Sequence, residues 1–268
     1  ADIMPVYHDF DLRSRGVRFI FPEVQAAYIT KNRKPLIFYH DPKKTANFLS
    51  NEFSAKDGSE YLRMYTAFQE YSEKILIPLT YVPAVPPIEQ IQILGAAKDD
   101  VGRRFNDIAE LPPIEILNMY DFSDPVKAGI LNLFCMWGLL PYEAIGYLFP
   151  LYIYRMTNSA LVCGGSHRLS SAIHKAIIEN GGAISDDSEV VKVMIRNGKV
   201  EGVVIDDGTE IKASVVASTV DPQQSFLKFF DEHEIPKNLT ESARRWEWEK
   251  TTFFGTHLAL REAPRYVG

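Results

Sequence analysis

The stretch of residues 164–222 constrains the fold of this chain more than any other part of the sequence. It begins with two adjacent glycines and reaches a second glycine pair at Gly181 and Gly182. After that pair, short apolar runs are separated by Asn197-Gly198 and Asp207-Gly208. Asn-Gly and Asp-Gly between β-branched runs are typical of tight hairpin turns, because those turns need residues that tolerate positive φ. The order of residues predicts one helix followed by a three-stranded antiparallel meander.

The helical part of this stretch has a single apolar face. Its apolar residues recur three and four positions apart, at Leu169, Ile173, Ala176 and Ile177. Ser166 is a residue type that caps helix N-termini, and glycine at 181 can take the left-handed conformation that ends a helix. We therefore expect a helix between Ser166 and Gly181. Capping also explains Ser166 better than a nucleophile paired with the adjacent His167 does.

Composition narrows the functions that are open to the chain. The 268 residues carry a net charge of -6, and no basic run is longer than the pairs Lys43-Lys44 and Arg244-Arg245. A nucleic-acid surface needs clustered Lys and Arg, so this class is disfavoured. Two cysteines are too few for a disulfide framework or a zinc site, which favours a cytoplasmic location. We predict no metal site and assign no catalytic residue.

Three short runs near the start of the chain predict strands at residues 17–21, 26–30 and 35–39. Asp41 followed by Pro42 is typical of a helix start. A longer helix is predicted where apolar residues recur with helical spacing, at Tyr61, Met64, Tyr65, Phe68, Tyr71, Ile75 and Leu76. Further predictions are a helix start at Ser123-Asp124-Pro125, a helix within residues 91–105 and a strand over residues 251–260.

The most apolar segment covers residues 129–154. Pro141, Glu143 and Pro150 interrupt it, and a membrane-spanning helix tolerates such residues poorly. We expect buried core or the wall of a substrate cavity first, and peripheral contact with a membrane second. The residues assigned to substrate contact are Met136, Trp137, Tyr152 and Tyr154, because aromatic and apolar side chains line pockets for apolar molecules. Ordinary core packing is the alternative for each of them.

Glu143 is the one carboxylate among these apolar neighbours. Such a group is paired, exposed on a loop, or tuned for proton transfer. Because Pro141 lies two residues before it, a loop position is the first expectation.

Residues 164–222 resemble the corresponding region of the phytoene desaturase and amine oxidase superfamily, flavoproteins that bind FAD and oxidise organic substrates. Gly164-Gly165 followed by Leu169 fits the G-G-x-x-x-L pattern of that superfamily. Residues 218–222 (STVDP) fit the S-N-A-D-P sequence with which a strand of that superfamily ends. Thr219 and Val220 depart from it, where the superfamily has Asn and Ala. Weaker resemblances to its pyridine-nucleotide-disulfide-oxidoreductase-like branch occur at residues 11–17 and 122–128.

The resemblance implies an α+β or α/β fold. Residues 1–160 would form a substrate-binding domain with a mixed sheet and helices. Residues 161–220 would be the middle segment of a discontinuous, Rossmann-like FAD domain, and residues 221–268 would return to the substrate domain.

The resemblance also implies which residues contact FAD. In the superfamily, a valine at the start of the first meander strand reads the adenine edge through its backbone N–H and C=O. The matching residue is Val190, which follows Glu189. FAD contacts are accordingly assigned to Val190, Glu189, Gly164 and Gly165. The alternative is that Val190 is an ordinary sheet residue, and both descriptions can hold because the contact is through the backbone.

The glycine loop that holds a dinucleotide pyrophosphate, Gly-x-Gly-x-x-Gly, does not occur in the 268 residues. We therefore interpret the chain as a fragment that lacks the N-terminal and C-terminal FAD segments and is inactive by itself. The missing segments are expected on the parent polypeptide or on a separate chain. The expected reaction of the intact protein is hydride transfer from an apolar substrate to the flavin. The alternative is a non-catalytic module that kept the fold without FAD and binds a ligand or a partner.

Overall fold

The computed structural model describes residues 5–83, 85–86, 88–89, 92, 100–231, 233–248, 255–256 and 258–262. Contacts between residues divide the chain into two compact units, Ala1–Ile173 with Phe253–Gly268, and His174–Thr252. Both units combine helices with small sheets, and every strand pair in the described ranges is antiparallel. The α+β class is thus confirmed. The predicted functional division at residues 160 and 220 stays a prediction.

The first unit contains most of the helices. In chain order its elements are α1 (Pro5–Asp9), β1 (Phe19–Ile20), β2 (Val24–Ile29), β3 (Pro35–Tyr39), α2 (Pro42–Glu52), α3 (Ala55–Tyr71), a π-helical turn (Ser72–Leu76), α4 (Ile77–Leu79), α5 (Val101–Ala109), α6 (Pro113–Asn118), α7 (Asp124–Cys135), α8 (Phe149–Met156) and β4 (Leu161–Val162). Residues 167–173 of α9 (His167–Glu179) also belong to this unit. Strand β1 pairs with β4, and β2 pairs with β3 in a hairpin.

The start of α2 follows the predicted capping chemistry. The carboxylate of Asp41 accepts the backbone N–H of Lys43 at 2.8 Å, and Pro42 is the first residue of α2. All seven apolar residues of the predicted stripe are buried, which confirms them as core. Around them the aromatic rings meet edge to face, as between Phe134 and Phe149, whose centroids are 5.1 Å apart.

A buried carboxylate connects the N-termini of α3 and α7. Asp57, in the first turn of α3, is fully buried. Its Oδ2 accepts the hydroxyl hydrogen of Ser54, the N-cap of α3, at 2.7 Å. Its Oδ1 accepts the backbone N–H of Ser123, the N-cap of α7, at 2.7 Å. One side chain therefore fixes the start of α7 against a helix that begins far earlier in the sequence.

The second unit contains residues 174–179 of α9 and the predicted meander. Its further elements are β5 (Val190–Arg196), β6 (Lys199–Ile205), β7 (Glu210–Lys212), α10 (Pro222–Leu227) and α11 (Lys237–Arg244). Asn197 and Gly198 have φ of 52° and 73°, so the first turn has the predicted positive-φ geometry. The second turn, at Asp207-Gly208, likewise joins β6 to β7.

Strand β7 is shorter than the sequence predicts. The apolar run suggests a strand over residues 211–219, whereas β7 ends at Lys212 and one more backbone bond runs from Ala213 N to Glu201 O at 2.9 Å. Because Gly202 pairs with Lys212, Lys199 at the start of β6 lies opposite position 215, and the predicted residues 216–219 have no partner in β6.

The helix predicted within residues 91–105 lies mostly outside the described residues, although α5 begins at Val101. Of the strand predicted over residues 251–260, residues 255–256 and 258–260 are described and form no strand, and the others lie outside the described residues. Within the described part of the chain, no helix is long and apolar enough to cross a membrane.

Replacing Asp57 by alanine is expected to lower the free energy of unfolding by about 3 kcal/mol, because the N–H of Ser123 loses its charged acceptor in a part-buried position. Urea denaturation measures the change. The matched control is Asp124→Ala, which removes an exposed carboxylate from the first turn of α7 and costs less than about 1 kcal/mol. Equal losses for the two variants would contradict the role assigned to Asp57.

Candidate functional site

The two adjacent glycines lie in the loop between β4 and α9. Gly164 and Gly165 both have positive φ, 81° and 98°. A Cβ at Gly165 would also lie 3.1 Å from the His167 ring. Any other residue would be strained at both positions. The loop is held by a bond from Gly165 N to Val162 O at 3.0 Å, so its shape depends on glycine and on the end of β4.

The polar residues that open α9 are on the surface. Ser166, His167 and Arg168 are exposed, and so is His174 farther along the helix. No group of three or more metal-ligating side chains occurs among the described residues. The chemistry available at this helix start is therefore that of backbone and surface groups.

The backbone at Glu189 and Val190 has a defined direction. The carbonyl oxygen of Glu189 accepts the N–H of Asp206, at the end of β6, with a distance of 2.9 Å. In a trans peptide the C=O and the following N–H point in opposite directions, and the described chain has no cis peptide. The N–H of Val190 therefore points away from β6, toward the outer edge of the sheet.

Strand β5 forms the outer edge of its sheet. The strand order is β5-β6-β7, so within the described residues β5 has a strand neighbour on one side only. Farther along this edge, Val193 N donates to Phe229 O at 3.0 Å. The register shifts between Val190 and Lys192, which marks a β-bulge at the start of the strand. Val190 thus presents a donor on an edge that is bonded to Phe229 farther along, at Val193.

An apolar cavity of about 390 Å³ lies under this meander. Its lining includes Val193, Val200, Ser218, Ser225, Phe226 and Phe230. The buried hydroxyl of Ser225 lies 2.8 Å from that of Ser218 and donates to Val220 O at 3.0 Å. The hydroxyl groups of the two serines in the lining therefore have hydrogen-bond partners within the protein. Sequence reasoning did not identify this cavity, although the repeated phenylalanines at residues 226–230 are a signal for it.

The first unit brings two of the predicted substrate residues together. The rings of Trp137 and Tyr152 meet edge to face with centroids 6.3 Å apart. The indole N–H of Trp137 donates to Met156 Sδ at 2.9 Å, so Met156 joins the pair. Trp137 is 52% exposed, which makes this an aromatic surface cluster and not a closed wall.

The other two predicted residues lie beside different partners. Met136 is exposed, and its Sδ accepts the hydroxyl of Tyr28 at 3.5 Å. Tyr154 is two residues from Tyr152 and so projects from another side of α8. Its hydroxyl donates to Glu73 at 2.9 Å. Burial, together with that carboxylate, raises the pKa of Tyr154, which therefore remains a neutral phenol at physiological pH.

Glu143 occupies an exposed turn between α7 and α8. Of the three alternatives for this carboxylate, the loop position is the one observed. Its neighbours in the turn are exposed apolar side chains, Leu140 at 48%, Tyr142 at 73% and Tyr147 at 43%. Together with Trp137 they make residues 136–147 an exposed apolar stretch.

A larger cavity, of about 730 Å³, lies between the β2–β3 hairpin and α7. Tyr28, Leu36 and Phe53 contribute its apolar surface, and Gly129 lies on its α7 side. Lys31 and Lys34 also line it. Burial raises the pKa of Tyr28 to about 12, so this phenol stays neutral beside the lysines. Sequence reasoning missed this cavity because its residues come from three distant segments with no common pattern.

Comparisons with known proteins give relatives but no family-model match. No protein-family model matches the chain. It is 34% identical over 277 residues to one of the limonene dehydrogenase subunits of Castellaniella defragrans, covering 99% of this chain and 50% of that protein. It is 21% identical over 266 residues to pyridine nucleotide-disulfide oxidoreductase domain-containing protein 2 of Rattus norvegicus, covering 86% and 45%.

A third relative is 4,4'-diapophytoene desaturase of a Methylomonas species. It is 28% identical over 118 residues, which is 43% of this chain and 23% of that protein. The chain thus spans at most about half the length of these curated relatives.

Proposed function

Because the chain belongs to the phytoene desaturase and amine oxidase superfamily of oxidoreductases, we propose that it works within an FAD-dependent enzyme that takes a hydride from an apolar organic substrate. The relative with 34% identity is named for limonene, a hydrocarbon, and the Methylomonas relative is named as a 4,4'-diapophytoene desaturase. A terpene-like hydrocarbon is therefore the proposed substrate class.

The observation that carries the cofactor proposal is the direction of the Val190 N–H. An adenine edge offers a ring-nitrogen acceptor, and an outward backbone N–H complements such an acceptor. Val190 begins β5 on the open edge of its sheet, so its backbone donor is available to a planar base. We propose that this edge binds the adenine of FAD and that Glu189 flanks it.

Gly164 and Gly165 are proposed as a separate cofactor contact. Glycines with positive φ let a backbone approach a ligand closely, because no Cβ stands in the way. Nothing in the loop other than the His167 and Arg168 side chains comes within 4 Å of the positions that Cβ atoms would occupy. The loop therefore fits a close approach of the cofactor to the backbone.

FAD, when bound, would supply the chemistry as the hydride acceptor. The proposed work of this chain is to hold the adenine end and to orient an apolar substrate away from water. In the substrate part, Trp137 and Tyr152 would give a rigid aromatic contact, with Met136 as a flexible neighbour. The hydroxyl of Tyr154 is engaged with Glu73, so we propose packing and not proton transfer for this residue.

The FAD site is proposed to be completed by residues outside this chain's sequence. The 268 residues contain no glycine loop for a pyrophosphate. The limonene dehydrogenase relative is named as one subunit of an enzyme. A partner chain or a further part of the same polypeptide would therefore hold the pyrophosphate and the flavin ring.

Val190→Pro is expected to weaken FAD binding by the native enzyme about 10-fold, since it removes one backbone donor worth about 1 to 1.5 kcal/mol. Proline is tolerated at the first residue of an edge strand, so the sheet should persist. The dissociation constant is measured by flavin fluorescence on titration of the apoenzyme. Val190→Ala keeps the N–H and should retain the wild-type affinity. If Val190→Ala lowers the affinity for FAD and Val190→Pro does not, the backbone contact is refuted.

Trp137→Ala is expected to lower kcat/KM for a monoterpene hydrocarbon by about 10-fold or more, through loss of a large apolar contact. The rate of flavin bleaching under anaerobic conditions is the measurement. Tyr142→Ala, at a more exposed aromatic of the same loop, serves as the control and should leave kcat/KM unchanged. If the two variants have equal kcat/KM, the proposed contact between Trp137 and the substrate is refuted.

Peripheral contact with a membrane is proposed for the exposed apolar residues between α7 and α8. Trp and Tyr favour the membrane interface, and apolar substrates dissolve in the bilayer. Leu140→Glu is expected to reduce the fraction of enzyme that sediments with phosphatidylcholine vesicles, whereas Leu161→Glu, at another exposed leucine, should not. Equal sedimentation of both variants and the wild type would exclude this contact.

A further inference from the structure

The indole N–H of Trp137 finds its acceptor on a neighbouring helix. Its Nε1 donates to Met156 Sδ at 2.9 Å. Trp137 follows the end of α7 at Cys135, whereas Met156 is the last residue of α8. An indole has one N–H donor and no acceptor, and a thioether sulfur only accepts. The single polar group of Trp137 is therefore engaged by a side chain that has no hydrogen of its own to donate.

The ring of Trp137 is held by the same face of α8. Tyr152 lies four residues before Met156, so the two side chains share one side of the helix. The rings of Tyr152 and Trp137 meet edge to face, and Tyr152 also meets the fully buried Phe134, with centroids 5.7 Å apart. Tyr152 thus connects the indole to the core, while Met156 fixes the direction of the indole N–H.

This arrangement matters when water leaves the aromatic cluster. Trp137 is 52% exposed, and Met156 is half-buried. An apolar ligand that covers the indole removes the water around it, and a donor left without an acceptor costs free energy. The sulfur of Met156 still accepts the N–H after the water has gone. The cluster is therefore suited to a ligand that brings no oxygen of its own.

We propose that Met156 sets the preference of the substrate site for hydrocarbons over oxygenated terpenes, because it occupies the N–H of Trp137. The inference rests on the proposed function, which places Trp137 against an apolar substrate. Met156 acts through Trp137 and is a positioning residue. Without its sulfur, a bound hydrocarbon would leave the N–H unpaired, whereas the oxygen of an alcohol would accept it.

Equilibrium binding to the native enzyme tests the proposal with two ligands. One is limonene, and the other is α-terpineol, which has the same carbon skeleton and a hydroxyl group. Met156→Leu removes the acceptor and nearly keeps the volume, so the enzyme should fold. The variant should bind limonene about 5-fold or more weakly, since the N–H loses its acceptor in the complex. Its affinity for α-terpineol should change by less than about 2-fold, because the alcohol oxygen accepts the N–H.

The ratio of the two dissociation constants decides the outcome. An unchanged ratio in Met156→Leu, or a wild-type enzyme that does not bind limonene, would overturn the proposal. Met119→Leu makes the same chemical change at another methionine, which is 52% exposed. This control should leave both dissociation constants at their wild-type values.

A double-mutant cycle separates the hydrogen bond from ordinary packing of the methionine. Trp137→Phe keeps an aromatic ring and removes the N–H. In this background Met156→Leu should leave the ratio unchanged, because no N–H remains for the sulfur to accept. A full effect of Met156→Leu in the phenylalanine background would show that the side chain acts through packing, and would overturn the proposal.

The indole ¹H–¹⁵N signal of Trp137 reports the bond without any ligand. The signal is identified by its loss in Trp137→Phe. In Met156→Leu it should shift, and its hydrogen should exchange with water faster than in the wild type. An unchanged signal would overturn the assigned bond.

The two proposals fail in different ways. A ratio that changes as expected, without reduction of flavin by limonene, would count against the proposed function only. Reduction of flavin by limonene with an unchanged ratio would count against this inference only.

Discussion

The hydrogen bonds of the buried Asp57 carboxylate hold the first unit together at the point where two helices begin. A charged group away from water is costly unless its oxygens are bonded. Here one carboxylate oxygen accepts the hydroxyl hydrogen of Ser54, the N-cap of α3, and the other accepts the backbone N–H of Ser123, just before α7. The position of α7 depends on this contact. Because α7 ends at Cys135, just before Met136 and Trp137, the aromatic surface cluster depends on it as well.

The contact gives a structural meaning to residues 122–128, one of the weaker family resemblances. Ser123 is not simply a helix cap, since its side chain makes no capping bond to α7. Its backbone N–H is what Asp57 holds. Pro125 then lies in the first turn of α7, where a missing N–H costs nothing. A motif that reads as a helix start in the sequence is also a tertiary contact.

The second unit depends on backbone geometry more than on side chains. The positive φ values of Asn197 and Gly198 set the hairpin, and the register of β5 against β6 then shifts at Met194/Ile195 and at Val190/Lys192. After these shifts the Glu189 carbonyl points toward Asp206 and the Val190 N–H toward the open edge. The proposed adenine contact therefore depends on the turn and on both irregularities of β5.

Local chemistry in the sequence determined the elements that depend on neighbouring residues. The Asp41-Pro42 helix start, the buried stripe of α3 and the Asn197-Gly198 turn could all be predicted, because capping, helical spacing and positive-φ turns involve residues close in the chain. The superfamily was predicted from the resemblance of residues 164–222 to a known family. The tertiary structure decided the rest. The exposure of Trp137 and Glu143 depended on the path of the chain between two helices. The two cavities and the bonds of Asp57 join residues far apart in sequence, and no local pattern encodes such distances.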